Sequence, residues 1–373
     1  MIYLDSAATS LWHPKEAEER MIQALRGCGN AGRGAHDATL DAGRIVFETR
    51  MRLAELFHAE SPERIAFTCN DTEALNTAIF GLFGPGDHVI TTVCEHNSVL
   101  RPLYALEKQG LELSVIPADV SGRIDYDQME AAVRKNTKAF VVTHASNLTG
   151  NITDLARVCE IAERHSLRLI VDAAQTAGHV PLKPGKWGCT MLAMPGHKGL
   201  LGPHGTGALW VRNGVTLAPL RQGGTGSASE SMFQPRMMPD SLESGTLNLP
   251  GIAGLDAGMR FALAHAREAH ETTTALCGMM REALQNMTNV RVYTKEGASL
   301  LSFNVEGMAS QVVAAALDEQ NIAVRGGLHC APGVHRFLGT LNIGAVRVSP
   351  GLMNTAAEAG KLIDAVWKIA KAR

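Results

Sequence analysis

The sequence predicts an α/β fold, with a largely parallel sheet in a large unit followed by a small α+β unit. Two observations carry that reading. From about residue 60 to 211, short apolar runs alternate with longer segments of helical period, the habit of strand–helix–strand crossovers. After Trp210 the texture changes to a Gly-rich loop and an irregular stretch, beyond which strands and helices mix. A chain of 373 residues suits two such units.

The strand candidates are residues 88–93, 113–116, 139–143, 167–171, 191–194 and 208–211, apolar enough throughout to be buried on both faces. Between them a helix is expected over 154–165, where Leu155, Val158, Cys159 and Ala162 fall on one side. The loop Gln222-Gly223-Gly224-Thr225-Gly226-Ser227 and the Pro-, Met- and Ser-containing stretch 229–250 mark a transition. Two helices then accompany strands at 290–293, 300–305 and 345–348. A closing helix starts near Thr355, where Thr355-Ala356-Ala357-Glu358 matches a capping box. The expected division is a segment 1–14 packing with the small unit, a large unit 15–250 and a small unit 251–373. No internal repeat is visible.

Composition narrows the function classes. Hydrophobic residues make up 45% and charged residues 19%, as in ordinary folded proteins. Lys+Arg 35 against Asp+Glu 37 leaves a formal charge of −2, so nothing favours nucleic acid or an anionic membrane as partner. Seven cysteines are scattered without a CxxC pair, which suits a reducing compartment. No stretch approaches the roughly 18 uninterrupted apolar residues of a membrane span. The opening residues turn polar within five positions, unlike a signal peptide. A soluble cytoplasmic protein is expected.

In open α/β sheets ligands collect beyond the carboxyl ends of the strands, so polar residues there carry the most weight. Asp172-Ala173-Ala174-Gln175 follows the apolar run 167–171, placing a carboxylate at the rim; alternatively Asp172 caps the next segment. Pro195-Gly196-His197-Lys198-Gly199 follows the run 191–194 and holds a lysine in a turn. Most lysines are solvated surface groups, but one in this setting suits a carbonyl-trapping amine. Together, Asp172 and Lys198 suggest pyridoxal 5'-phosphate, the lysine forming the Schiff base and the acid facing the pyridinium nitrogen. At Cys69-Asn70-Asp71-Thr72-Glu73 a polar turn opens a helix whose N–H groups and Thr72 hydroxyl suit a phosphate, or an ordinary cap. Cys94-Glu95-His96-Asn97-Ser98 sets an imidazole at the same edge, for stacking on a planar ring or for structure alone.

With these residues in view, the chain resembles fold-type I pyridoxal phosphate enzymes of the class V aminotransferase group, and within it the short-loop cysteine desulfurases, nearly end to end. The resemblance rests on Tyr3-Leu4-Asp5-Ser6-Ala7-Ala8-Thr9, residues 67–76, Glu95-His96-Asn97, His144-Ala145-Ser146-Asn147, Val171-Asp172-Ala173-Ala174-Gln175 and Gly196-His197-Lys198, in that order. It implies a seven-stranded type of sheet and roles residue by residue. Lys198 would carry the cofactor and act as a base, Asp172 would face the ring nitrogen, and Gln175 the phenolate oxygen. His96 would stack on the ring. Thr72, with Asp71 beside it, and His197 would serve the phosphate, and Asn147 would face cofactor and substrate. Thr246, in Glu243-Ser244-Gly245-Thr246, would reach the phosphate of a second subunit in a homodimer with shared sites. Arg347 would fork onto a substrate α-carboxylate.

Cys330, in Arg325-Gly326-Gly327-Leu328-His329-Cys330-Ala331-Pro332, matches the desulfurase nucleophile, whereas composition alone suggests a buried inert thiol. The resemblance then implies conversion of L-cysteine to L-alanine, a persulfide on Cys330, and a sulfur-acceptor protein. A free thiol pKa of roughly 8.5 demands help to ionise, expected from His329 and Arg325. Departures from the family pattern are Asp71, which if anionic would repel a phosphate, Pro195 and Leu328. The alternatives are a selenocysteine lyase, another C–S lyase, a true aminotransferase or, distantly, a metal-dependent hydrolase using His329, Cys330 and His335. His36, in the Gly-rich segment 30–36, lies either beside the active site or in a plain solvent loop.

Overall fold

The computed structural model describes residues 1–32, 34–119, 122–185 and 187–371; Arg33, within the segment 30–36, lies outside them. The large sheet is built from β2 (Ile65–Thr68), β3 (His88–Thr92), β4 (Glu112–Ile116), β5 (Thr137–Thr143), β6 (Arg168–Asp172), β7 (Met191–Pro195) and β8 (Gly207–Val211), with β1 (Ile2–Tyr3) held elsewhere. Its spatial order is β2-β8-β7-β6-β5-β3-β4. Strands β3 to β7 pair in parallel and only β8 runs against its neighbours, so the largely parallel sheet is as expected.

Alternation along the strands explains why these runs are apolar throughout. Leu169 and Val171 of β6, with Leu192 and Met194 of β7, enter a core on one face. Ile170, Met191 and Ala193 enter a core on the other. Helices cover both faces: α1 (Lys15–Gly27), α2 (Asp37–Phe57), α5 (Tyr126–Ala131), α6 (Leu155–Arg164) and α7 (Leu249–Ala264), and opposite them α3 (Asp71–Leu82) and α4 (Asn97–Glu107). The ends expected for the 154–165 helix are its caps: Asp154 accepts from Arg157 N at 3.1 Å, and His165 is the carboxyl-terminal cap.

A second, antiparallel sheet has the order β12-β13-β10-β9, from β9 (Val290–Val292), β10 (Leu301–Val305), β12 (Arg325–Gly327) and β13 (Ala345–Val348). It packs with α8 (Ala266–Gln285), α9 (Ser310–Asp318) and α11 (Ala356–Lys371) around Met280, Phe303, Leu317 and Leu362, while the short α10 (Pro332–Leu338) follows Cys330. The expected two helices plus a closing one are thus joined by the short α9 and α10. The capping box is present, with Glu358 N donating to Thr355 Oγ1 at 3.3 Å and Thr355 N to Glu358 Oε2 at 2.9 Å.

The start of the amino-terminal segment belongs with this second core, whereas Thr9, Ser10 and His13 bond to the 197–204 turn of the large unit. β1 pairs in parallel with β11 (Ile322–Ala323), and Leu4 is buried among its residues. At the other end the large-sheet core extends past residue 250, taking in Ile252, Ala253, Leu255 and Met259 of α7. The boundary expected at 250/251 therefore falls inside a helix that packs on α1 and α2.

Candidate active site

Because β2, β3, β5, β6 and β7 all run the same way, their carboxyl ends share one rim. That rim receives Asp71–Thr72, His96, Asn147, Asp172 and His197–Lys198. The chain steps outward from β3 to β4 and back across to β5, so His96 and Asn147 flank the point where strand order reverses, the place where α/β sheets open a ligand crevice.

Lys198 is held through its backbone. Its carbonyl accepts from Ser10 Oγ at 2.8 Å and Leu201 N at 2.9 Å. A Cβ at Gly199 would strike the Ala177 carbonyl and the His179 ring, so the next turn can only close with glycine. Lys198, Ser6, Ala7, Gln175 and Ser349 line one cleft. His36 is not among the residues lining it; its Nε2 lies 3.1 Å from Thr39 Oγ1.

Two buried carboxyls, Asp172 and Asp71, act on this amine, and a third, Glu95, interacts with Asp172. Burial raises the Asp172 pKa, opposed by the Ala174 N–H donated to Oδ1 at 2.8 Å and by Lys198. Asp172 therefore ends a strand and caps the following turn at once. Asp71, at the first position of α3, is held well above the usual carboxylate range by burial and then by like charge on Asp172, against the pull of Lys198. Its Oδ1 has no hydrogen-bond partner. Glu95, which sequence reasoning did not assign, is fully buried; Oε1 accepts from Thr92 Oγ1 at 2.6 Å, and burial raises its pKa well above normal. Burial lowers the Lys198 pKa, countered by Asp71 and Asp172 and assisted by Arg347 and Arg325. An amine so poised suits nucleophilic and base chemistry.

His96 stays neutral. Burial, then Lys198 and Arg347, push its pKa down to about 4, and Nδ1 accepts from Ser98 N at 3.1 Å. Ser98 links His96 to Thr72, with its Oγ 2.9 Å from the imidazole Nδ1 and 2.8 Å from Thr72 Oγ1. Asn70, rather than Thr72, caps α3 by accepting from Glu73 N at 2.8 Å. His197, with Nδ1 3.1 Å from Thr9 Oγ1, is likewise pushed down to about 4 by burial. Gln175 donates from Nε2 to the Ala7 carbonyl at 3.1 Å. Thr246 is exposed and lines a different cavity with Phe67, Thr68, Cys69 and Arg221, away from the Lys198 cleft.

The second core delivers Cys330 and Arg347. Asn147 donates from Nδ2 to the His329 carbonyl at 2.6 Å, and Asn97 N donates to the Cys330 carbonyl at 2.8 Å, docking the cysteine loop on the rim. His329 and Cys330 both hold positive φ, 49° and 55°, a conformation that costs non-glycine residues energy and here presents an exposed thiol. The alternative of a buried inert cysteine is therefore wrong.

The expected help from His329 and Arg325 takes another form. His329 is pushed down to about 3, first by burial and then by Arg347, with Nε2 2.9 Å from the Ala345 carbonyl, so it is no cation. Arg325 is committed to Asp5, Nε to Oδ2 2.9 Å. His335 places Nδ1 2.7 Å from Thr340 Oγ1. Among the described residues no group of three His, Cys, Asp or Glu side chains is arranged to hold a metal ion. Arg347 is buried on β13, donating from Nη1 to the Asn147 carbonyl and from Nη2 to Asp5 Oδ1, each at 3.0 Å, while its Nε is without a partner. Asp5 was not singled out from the sequence beyond its place in an opening motif.

Comparison with known proteins extends this geometry over the whole chain. The family model for aminotransferase class V matches residues 2–362. A probable cysteine desulfurase of Methanothermobacter thermautotrophicus is 34% identical over 99% of this chain and 94% of its own length. The apo structure of a cysteine desulfurase from Thermococcus onnurineus superposes with a TM-score of 0.93 at 33% identity, covering 100% of this chain and 95% of that one. The cysteine desulfurase CsdA of Escherichia coli gives 0.90 at 27% identity, covering 99% and 94%. Matched by that family model from residue 2 to residue 362, the chain belongs to the class V aminotransferase family.

Proposed function

We propose that this chain is a pyridoxal 5'-phosphate-dependent cysteine desulfurase that converts L-cysteine to L-alanine and leaves sulfur on Cys330. The observation that carries the reading is the docking of an exposed cysteine, through Asn147 and Asn97, onto the rim that holds Lys198 and Asp172.

The residues present fit the cofactor. A poised amine and a buried acid stand on adjacent strand ends, and Asp71 Oδ1, Asn147 Oδ1 and Arg347 Nε are buried polar atoms without partners. Lys198 would carry the group, Asp172 would face its ring nitrogen, Gln175 its phenolic oxygen and His96 its ring. Thr72 and His197 would serve the phosphate, with Asp71 held well above the usual carboxylate range by burial, which disfavours a full negative charge beside it. When bound, the cofactor withdraws electrons from the substrate Cα and so supports proton loss there.

The protein's own groups do the rest. Arg347 binds the α-carboxylate, and Lys198 moves the proton at Cα. The Cys330 thiolate then attacks the substrate sulfur, forming an S–S bond as the substrate C–S bond breaks. The electron pair of the broken bond stays with Cβ, which is protonated to give alanine. Exposure of Cys330 suits onward transfer of sulfur to an acceptor protein.

Two features support a homodimer with shared sites. Thr246 faces outward, as a residue serving a partner subunit would, and α2 exposes Leu40, Phe47 and Met51 along one side. No helix among the described residues is long and apolar enough to cross a membrane.

The test is incubation of purified enzyme with L-cysteine, scoring alanine, pyruvate and sulfide together. Desulfuration gives alanine without pyruvate, and Cys330→Ala loses it. Pyruvate as the main product, or undiminished sulfur release from Cys330→Ala, contradicts the reading.

A further inference from the structure

Arg325 and Arg347 are directly opposed residues on the antiparallel strands β12 and β13. Cross-strand partners of like charge lie roughly 4.5–5.5 Å apart at Cα and repel. The structure resolves this conflict with one residue from the far end of the chain. Asp5 gives one carboxylate oxygen to each guanidinium, Oδ2 to Arg325 Nε at 2.9 Å and Oδ1 to Arg347 Nη2 at 3.0 Å. Its position is over-determined: Asp5 bridges to Ser349 beside β13, and Ser6 N donates to the Ser349 carbonyl at 2.9 Å.

We propose that Asp5 is a positioning and specificity-determining residue, which orients Arg347 and sets the charge of the substrate carboxylate pocket to accept one carboxylate and discriminate against two. The inference rests on the amino-acid substrate proposed above. An arginine side chain has five N–H donors; Asp5 and the Asn147 carbonyl occupy one each, and the buried Nε is without a partner. With Nη1 and Nη2 anchored, the edge bearing Nε is what an incoming carboxylate meets as a fork. Two guanidiniums against one carboxylate leave a single net positive charge. A mono-carboxylate amino acid neutralises it, and a second acidic group on the substrate is left uncompensated. Without the Asp5 charge, half-exposed Arg325 becomes available to that second acid.

The probes are L-alanine and L-aspartate, which share the amine and α-carboxylate and differ by the second acid. Their dissociation constants are measured by calorimetry on the holoenzyme, for wild type, Asp5→Asn, Asp5→Glu and Arg347→Leu. In Asp5→Asn the ratio Kd(aspartate)/Kd(alanine) is expected to fall at least tenfold, and Asp5→Glu to restore it toward wild type. A purely structural strap would weaken both ligands alike, so an unmoved ratio in Asp5→Asn overturns the assignment. An equal fall in Asp5→Glu overturns it too. If Arg347→Leu binds alanine as wild type does, the carboxylate pocket itself is misassigned, and the proposal falls with it. Loss of alanine binding in Arg347→Leu beside an unmoved Asp5→Asn ratio rejects the role of Asp5 alone.

Discussion

Arg50 on α2 and Glu243 form a buried ion pair whose removal should be felt throughout the loop that leads to Thr246. The carboxylate accepts from Arg50 Nη1 at 2.7 Å, from Nη2 at 2.9 Å and from Phe67 N at 2.6 Å. Arg50 also donates to the Ile65 carbonyl at 2.5 Å and lies 4.7 Å over the Phe67 ring. Only 8% and 7% of the two side chains is exposed, so water cannot replace a lost partner. Breaking such a pair costs about 3–5 kcal/mol, because the remaining charge stays buried, whereas replacing both members by apolar groups of similar volume is often near neutral. Arg50→Met and Glu243→Leu should each lose stability in that range, and the double variant should recover most of it, giving a coupling energy of about 5 kcal/mol or more. Urea unfolding followed by circular dichroism measures all four corners of the cycle. Single losses below about 1 kcal/mol that simply add would refute the reasoning, since that is the behaviour of an exposed pair.

Two further outcomes follow. His96, His144, His179, His197 and His335 are each pushed down to about 4, with burial the leading cause. Their unfolded value is near 6.5, so between about 6.5 and 4 the unfolded chain binds more protons at these sites and their contribution to stability falls as pH is lowered, against the opposite contribution of the raised Asp71, Asp172 and Glu95. Urea midpoints at pH 7, 6, 5 and 4.5 should fall more steeply, or rise less, in wild type than in His144→Gln; parallel profiles contradict the burial argument. Iodoacetamide should label Cys69 and Cys330 first, because these thiols are exposed, while Cys94, pushed up to about 12 by burial, stays unlabelled until the protein unfolds. Peptide mapping after brief treatment decides it, and early modification of Cys94 would contradict the structure.

What the sequence made legible is what local chemistry dictates. The runs around Ile170, Leu192 and Leu209 are apolar on both sides of the alternation because both sheet faces are covered, and that pattern is visible without a structure. Asp172 and Lys198 were legible because each directly follows such a run. Strand β2 was not, since its four residues carry too little pattern. Neither were β1 and β11, two residues each, which exist only through their pairing with one another. The division of labour at the cysteine loop escaped for a related reason. Arg325 and His329 look like cationic neighbours of Cys330 along the chain. In space Arg325 answers to Asp5, 320 residues away, and His329 points its Nε2 at the Ala345 carbonyl. Likewise Glu95 reads as a polar loop residue beside His96, yet it is fully buried.

The central claim is that the Lys198 amine, set against Asp172 at the sheet rim, is the group that carries the cofactor. Borohydride reduction of the protein supplied with pyridoxal 5'-phosphate, followed by peptide mass mapping, addresses it directly. The account predicts one reduced adduct, on the peptide containing Lys198, with loss of visible absorption and no adduct in Lys198→Arg. A colourless protein, or an adduct on another lysine, would contradict it.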